Sequence, residues 1–210
     1  FPMNQSSENN SCVRSRLIAV TGGIGSGKSV VSRMLRCMGF AVYDCDSEAR
    51  RLMDCSDEIK RLIASDICSE AVRPDGSIDR AALAEAVFAD ALLLRRLNDA
   101  VHETVRRDLH RWCSGRRLAF VETAILYQSS LDLMVDEVWD VVAPADIRIR
   151  RVMARNGLTQ ARVEQRIASQ DSFVSPRRHQ CVRRLINDGD IPLLPQVLAL
   201  LSKSLFNNKC

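Results

Sequence analysis

The run Gly22-Gly23-Ile24-Gly25-Ser26-Gly27-Lys28-Ser29 fits the spacing G-x-x-x-x-G-K-[ST]. That spacing has a physical meaning. Glycines let consecutive backbone N–H groups turn toward one anion without a Cβ in the way. A helix starting near Lys28 would aim the positive end of its dipole at the same point. The Lys28 ammonium can then reach the outer phosphates of a nucleotide, and the Ser29 hydroxyl can ligate Mg²⁺. Gly23, Ile24, Gly25, Ser26, Gly27, Lys28, Ser29 and Val30 are the expected contacts to ATP in this loop. A second constellation follows at Asp44-Cys45-Asp46, with Arg50 four residues further on. A carboxylate there can orient or deprotonate an acceptor hydroxyl, or hold Mg²⁺ through water.

The flanking elements decide whether these residues meet. Leu17-Ile18-Ala19-Val20 reads as a strand buried on both faces, running straight into the glycines. After them, Val31, Met34, Leu35 and Met38 make an apolar helical stripe, and Gly39 is placed to stop it. Ala41-Val42-Tyr43 is a second short strand ending at Asp44. Strand, loop, helix and strand form one βαβ unit, hence a parallel sheet with a right-handed crossover. A chance glycine turn would lack this setting, so the loop reads as a phosphate cradle. In open α/β sheets ligands bind at the carboxyl ends of strands, which puts Asp44 and Asp46 beside the cradle. The plainer reading is that Asp46 caps the next helix and Asp44 ends a strand.

From Ser47 to Arg117 the pattern is helical, with Asp79 and Asp90 as caps and a long stripe of Leu93, Leu97, Val101, Val105, Leu109 and Trp112. A third strand is expected at Leu118–Val121 and a fourth at Val138–Val142, ended by Pro144. A helix follows through Arg155 to the break at Asn156-Gly157, and another from a Thr159 cap to Gln170. Arg184–Asn187 reads as the fifth strand and Ile191–Leu205 as the last helix.

The 210 residues suit one α/β body with insertions. A formal charge of +4, from 30 basic and 26 acidic residues, asks for neither nucleic acid nor a membrane. Eight cysteines occur without C-x-x-C, and there are only three histidines, so no zinc site is expected. Most cysteines fall in apolar periodic segments, as small buried hydrophobes in a reducing cytoplasm would. No apolar run is long enough to cross a bilayer. Residues 1–14 are polar and read as a disordered extension. The GTPase signatures D-x-x-G and N-K-x-D do not occur.

Thr21 to Ser29, then Val42-Tyr43-Asp44-Cys45-Asp46 and Ala49-Arg50, resemble the T-G-G-I-G-S-G-K-S and D-A-D-x-x-A-R signatures of the dephospho-CoA kinase family. The resemblance continues through His102, Arg151, Arg155, Gly157, Leu158, Arg166 and Gln170 to Ile186-Asn187-Asp188-Gly189. It implies a P-loop NTPase fold, three-layered α/β/α on a five-stranded parallel sheet, with a helical substrate-binding insertion and a helical lid. The implied core is 15–50, 118–145 and 171–210, the helical substrate (CoA) domain 51–117 and the lid 146–170. The implied reaction is ATP-dependent phosphorylation of the ribose 3′-hydroxyl of dephospho-CoA, the last step to coenzyme A. Carried over by position, Asp46 is the general base with Asp44 beside it, and Arg50 and His102 touch the substrate. Lys28, Arg151 and Arg155 stabilise the transferring phosphoryl group, and Asn187 to Gly189 lie near the adenine. ATP and Mg²⁺, a cytoplasmic setting, and a monomer or weak oligomer free of nucleic acid and membrane complete the expectation. Two positions depart from the family pattern: Glu103 stands where proline follows the histidine, and Gln128 stands where a carboxylate ends P-L-L-F-E.

Between Ala145 and Arg184 ten arginines face only Asp146, Glu164 and Asp171, with no lysine. Arginine's planar fork suits bidentate phosphate contacts and keeps its charge when a lid closes. A solvated helix face accounts for about half of them. Nucleic-acid binding is a poor fit, because aromatic residues are sparse there. Two other functional readings remain: another small-molecule P-loop kinase, shikimate-kinase-like, and a nucleotide-gated binding protein without turnover.

Overall fold

The computed structural model describes residues 16–206, so the expected disordered extension at 1–14 lies outside the described residues. The sheet begins with β1 (Arg16–Thr21), which runs into the glycine loop and then α1 (Lys28–Cys37). β2 (Ala41–Asp44) is followed by α2 (Cys45–Cys55), α3 (Asp57–Leu62), α4 (Arg80–Ala89) and the long α5 (Ala91–Cys113). β3 (Leu118–Glu122) and β4 (Glu137–Val142) are joined without a long helix. Then come α6 (Ala145–Asn156), α7 (Gln160–Asp171), β5 (Val182–Ile186) and α8 (Leu193–Phe206).

The five strands lie in the order β2-β3-β1-β4-β5 and every neighbouring pair is parallel. Alternation along the strands divides the core in two. Ile18, Val20, Phe120, Trp139 and Leu185 face α1 and α8, meeting Val31, Leu35, Val197 and Leu201. Leu17, Ala19, Ala119, Val121 and Val138 face the other way, onto Leu52, Leu97, Val101, Val105 and Leu109. Each fully buried aliphatic side chain contributes about 1.5–3 kcal/mol, so both faces of the sheet are firmly covered. The result is the expected three-layer α/β/α architecture.

Local cap chemistry sets the helix starts. Asp79 accepts the N–H groups of Ala81 and Ala82, and Asp90 those of Leu92 and Leu93, as read from the sequence. Thr159 precedes α7 but its hydroxyl makes no cap bond. β5 lies two residues earlier than its expected start at Arg184, because only Leu185 is fully buried on this edge strand. Arg184 is exposed on the face opposite Leu185, whereas Arg183 shares the Leu185 face and reaches to 3.9 Å from Glu137. Charge on an edge strand deters pairing with another chain. The cysteine expectation also needs correction. Of the free cysteines Cys37, Cys45, Cys55, Cys68 and Cys113, only Cys45 is buried. Cys37 and Cys55 close helices at the surface.

Candidate active site

All five strands point their carboxyl ends at one edge, and the glycine loop lies along it. Gly22 and Gly27 adopt φ values of 141° and 101°, where a side chain is strained. A Cβ at Gly27 would also stand 2.1 Å from Nδ2 of Asn187. The same Asn187 nitrogen donates to the Ser26 carbonyl at 2.8 Å, so the strand-end residue after β5 braces the loop. Val30 donates its N–H back to Gly27 at 2.9 Å, and Ser29 is exposed in the first turn of α1.

Lys28 curls over the loop. Its Nζ donates to the carbonyls of Gly22 at 2.9 Å and Gly23 at 3.3 Å. Burial is the main cause that lowers its pKa. Glu122 and then Asp46 oppose that shift, whereas Arg148 and Arg155 add to it. Lys28 therefore shares one electrostatic neighbourhood with two carboxylates and two guanidinium groups.

The two aspartates divide their work. Asp44 caps α2: its Oδ1 accepts the N–H groups of Asp46 and Ser47, both at 3.1 Å. Asp46 sits in the first turn, exposed, and no hydrogen bond to a described residue occupies its carboxylate. The capping role therefore falls to Asp44, not Asp46. Cys45 between them is buried. Burial, followed by the carboxylates of Asp46 and Asp44, pushes its thiol far up, which makes it a poor nucleophile. Glu122 has no counterpart among the expected site residues. It ends β3 level with Asp44 of β2 and Val20 of β1, and it is the carboxylate with the largest effect on Lys28. Among the described residues no three or more His, Cys, Asp or Glu side chains gather as a metal cage.

The arginines also divide. Arg151 is held on Asn187, through Nη1 to its backbone carbonyl at 3.0 Å and Nη2 to Oδ1 at 3.4 Å. Arg155 donates to Asn156 at the exposed end of α6. Arg148 lies on the glycine loop, its Nε donating to the Ile24 carbonyl at 2.9 Å. Gln170 of α7 holds the other side of the same residue, accepting the Ile24 N–H at 2.7 Å and donating to the Ala124 carbonyl at 3.0 Å. Arg150 pairs with Asp146 and Arg177 with Asp132, away from the loop.

A family model described as dephospho-CoA kinase matches residues 16–192. The chain belongs to the dephospho-CoA kinase family. It is 37% identical over 186 residues to a dephospho-CoA kinase of Porphyromonas gingivalis, covering 88% of this chain and 92% of the relative. Its fold matches the crystal structure of TT1252 from Thermus thermophilus with a TM-score of 0.71 at 33% identity, over 94% of this chain and all of the other. A dephospho-CoA kinase from Campylobacter jejuni shares the fold with a TM-score of 0.64 at 19% identity, over 92% of this chain and 98% of the other. Membership carries ATP-dependent phosphorylation of dephospho-CoA, a step of coenzyme A biosynthesis.

In this dephospho-CoA kinase family member the remaining expected residues lie on α2, on α5 and in the turn after β5. Arg50 is exposed on α2, one turn beyond Asp46. His102 is half-buried on α5. Burial lowers its pKa, Arg106 adds to that, and Asp99 opposes it. Arg106 in turn donates to the Ser129 carbonyl at 2.7 Å, tying α5 to the turns after β3 that contain Gln128. Gly189 has φ 99° in a turn whose Asp188 accepts the N–H groups of Asp190 and Ile191. Sequence reasoning missed Glu122 and the position of Arg148. An acidic residue ending a buried strand was a visible signal for the first. The ten-arginine cluster named the second without singling it out.

Proposed function

We propose that this chain transfers the γ-phosphoryl group of ATP to the ribose 3′-hydroxyl of dephospho-CoA, giving ADP and coenzyme A. The observation that carries the reading is that β2 and β3 end level at Asp44 and Glu122, with exposed Asp46 in the next turn, on the sheet edge where Lys28 curls over the glycine loop. Asp46 is the general base, because its carboxylate is exposed while that of Asp44 is held by the α2 cap. It takes the hydroxyl proton as the new O–P bond forms. The bond from the γ-phosphorus to the bridging oxygen breaks, and ADP leaves. Lys28 swings from the Gly22 and Gly23 carbonyls onto the phosphates, exchanging neutral acceptors for charged ones. Arg151 and Arg155 join from α6, and Asn187 and Gly189 border the nucleotide.

The donor set suits Mg²⁺, which prefers hard oxygen ligands and keeps several waters. Ser29 would hold it directly, with Glu122 and Asp46 through water. Bound there, the metal supplies charge neutralisation between the outer phosphates.

Arg50 and His102 face the acceptor. The core comprises 15–50, 118–145 and 171–210, the acceptor domain 51–117 and the lid 146–170. Support comes from α2 to α5, which build one continuous hydrophobic cluster on a single sheet face. Further support comes from Arg148 and Gln170 reaching the loop from α6 and α7. No described helix is long and apolar enough to cross a membrane. A cytoplasmic monomer or weak oligomer with no nucleic-acid or membrane partner is part of the same proposal.

The test is ADP release measured with dephospho-CoA against a panel of hydroxyl acceptors. The expected outcome is a clear preference for dephospho-CoA that Lys28→Ala abolishes. Equal rates across the panel would overturn the acceptor assignment.

A further inference from the structure

Arg148 occupies the first turns of α6, where its N–H bonds the Pro144 carbonyl at 3.0 Å and its side chain turns inward, 13% exposed. Its three guanidinium nitrogens have different fates. Nε is held by the Ile24 carbonyl at 2.9 Å. Nη1 stands 3.6 Å from Oδ2 of Asp171. Nη2 is buried with no hydrogen-bond acceptor among the described residues. That nitrogen lies over Gly23: a Cβ built there would be 2.3 Å from Nη2 and 2.6 Å from the guanidinium carbon. Only a glycine admits the guanidinium at this spot.

An orphaned, charged, buried donor is rare, and its position calls for an explanation. Lys28 hydrogen-bonds the carbonyl of the same Gly23 at 3.3 Å, so two cations converge on one residue of the phosphate loop. Like charges repel more strongly in a partly desolvated site than in water. The proximity contributes to the lowering of the Lys28 pKa. An anion between them would satisfy both. Arg151 and Arg155 of the same helix rest on Asn187 and Asn156, so neither takes this position over Gly23.

We infer that Arg148 is a further catalytic residue, whose free Nη2 donates to a nonbridging oxygen of the γ-phosphoryl group from the lid side while Lys28 holds it from the loop side. The inference rests on the kinase reading of the site but not on the identity of the acceptor. The Ile24 peptide is fixed by Arg148 on its carbonyl and by Gln170 on its N–H, so α6 and α7 grip the loop together. The γ-phosphoryl oxygen then gives the unpartnered Nη2 an acceptor.

The test compares ADP with a non-hydrolysable ATP analogue on the full chain by calorimetry, for wild type, Arg148→Gln and Arg148→Lys. A γ-phosphate contact predicts that Arg148→Gln weakens the analogue about tenfold while ADP binding stays within about twofold. It also predicts that kcat falls about 10²- to 10³-fold, as for loss of one preorganised donor to developing charge. Arg148→Lys keeps the charge and should recover part of both losses. A parallel fall in ADP and analogue affinity would overturn the inference, since it would mean that Arg148 only shapes the loop through Ile24. An unchanged kcat would overturn it too. If Arg148→Gln does not fold, Arg148→Lys decides by the same comparison: ADP binding kept with kcat reduced at least about tenfold supports the contact, and kcat at the wild-type value overturns it. Neither calorimetric arm contains an acceptor, so failure of dephospho-CoA as substrate would leave this result readable on its own.

Discussion

The Oδ1 of Asp44 accepts the backbone N–H of Asp46 at 3.1 Å, so the first carboxylate of the pair fixes the start of the helix that carries the second. Two acids one residue apart thereby acquire different roles. Asn caps a helix as well as Asp does, whereas Ala removes the cap at a cost of about 1 kcal/mol. Asp44→Asn should therefore keep the fold, and Asp44→Ala should lose about that much stability in urea unfolding. Asp46→Asn should leave stability and nucleotide binding nearly unchanged but reduce kcat about 10²- to 10⁴-fold. Comparable turnover in Asp46→Asn and wild type would remove Asp46 from the base role.

His102 offers a pH test. Burial and Arg106 hold its folded pKa below 6.5. Between that folded value and the unfolded one, the unfolded chain binds more protons, so stability rises with pH across this window. It is lost as pH falls from above the unfolded value toward the folded one. The imidazole C–H resonances should titrate with a midpoint below 6.5, and Arg106→Gln should move that midpoint upward. His102→Gln should flatten the stability slope in the same window. A midpoint at or above the ordinary histidine value would contradict the burial seen on α5.

Asn187 joins two parts of the nucleotide site. It donates to Ser26 at 2.8 Å and accepts from Arg151 at 3.0 and 3.4 Å. Asn187→Ala removes the 3.4 Å side-chain bond and the brace on Ser26 but keeps the backbone carbonyl, whereas Arg151→Ala removes both arginine bonds, so their effects on ATP affinity share one contact and should not fully add. A double-mutant cycle of Asn187→Ala and Arg151→Ala should give a coupling of about 0.5–3 kcal/mol. Strict additivity would mean that these bonds do not matter to nucleotide binding.

At the opposite end of the sheet, Glu137 is 3% exposed and accepts from Arg16 at 2.8 Å, Trp139 at 2.9 Å and Ser204 at 2.9 Å. It locks β1 and α8 onto β4. Breaking such a buried pair by removing one partner costs about 3–5 kcal/mol. Glu137→Ala should lower Tm by roughly 2–4 °C for each kcal/mol lost, as expected for a chain of this length. Glu137→Gln, which keeps an acceptor, should lose less. ATP affinity measured well below Tm should be unaffected in both.

Much of this architecture was legible because its determinants are local. Asp79 and Asp90 announce their helices through bonds made two or three residues away. The glycine loop is a local geometry as well, and Leu17 to Val20 read as buried because they are apolar without alternation. What escaped was non-local. Glu122 becomes a site residue only because β3 lies between β1 and β2, and strand order is not written in a segment. Arg148, Arg151 and Arg155 recur on one helical face, and only the docking of α6 on the loop decides which of them meets Ile24. β5 was displaced because Arg183 and Arg184 mask the alternation of an edge strand whose one buried anchor is Leu185.

The central claim is that phosphoryl transfer from ATP ends on the ribose 3′-hydroxyl of dephospho-CoA at this site. Phosphorus NMR of the reaction products tests it most directly. One new 3′-phosphomonoester should form for every ADP released, with no such signal from Lys28→Ala. ADP release without a phosphorylated acceptor, or a phosphate on a different hydroxyl, would contradict the account.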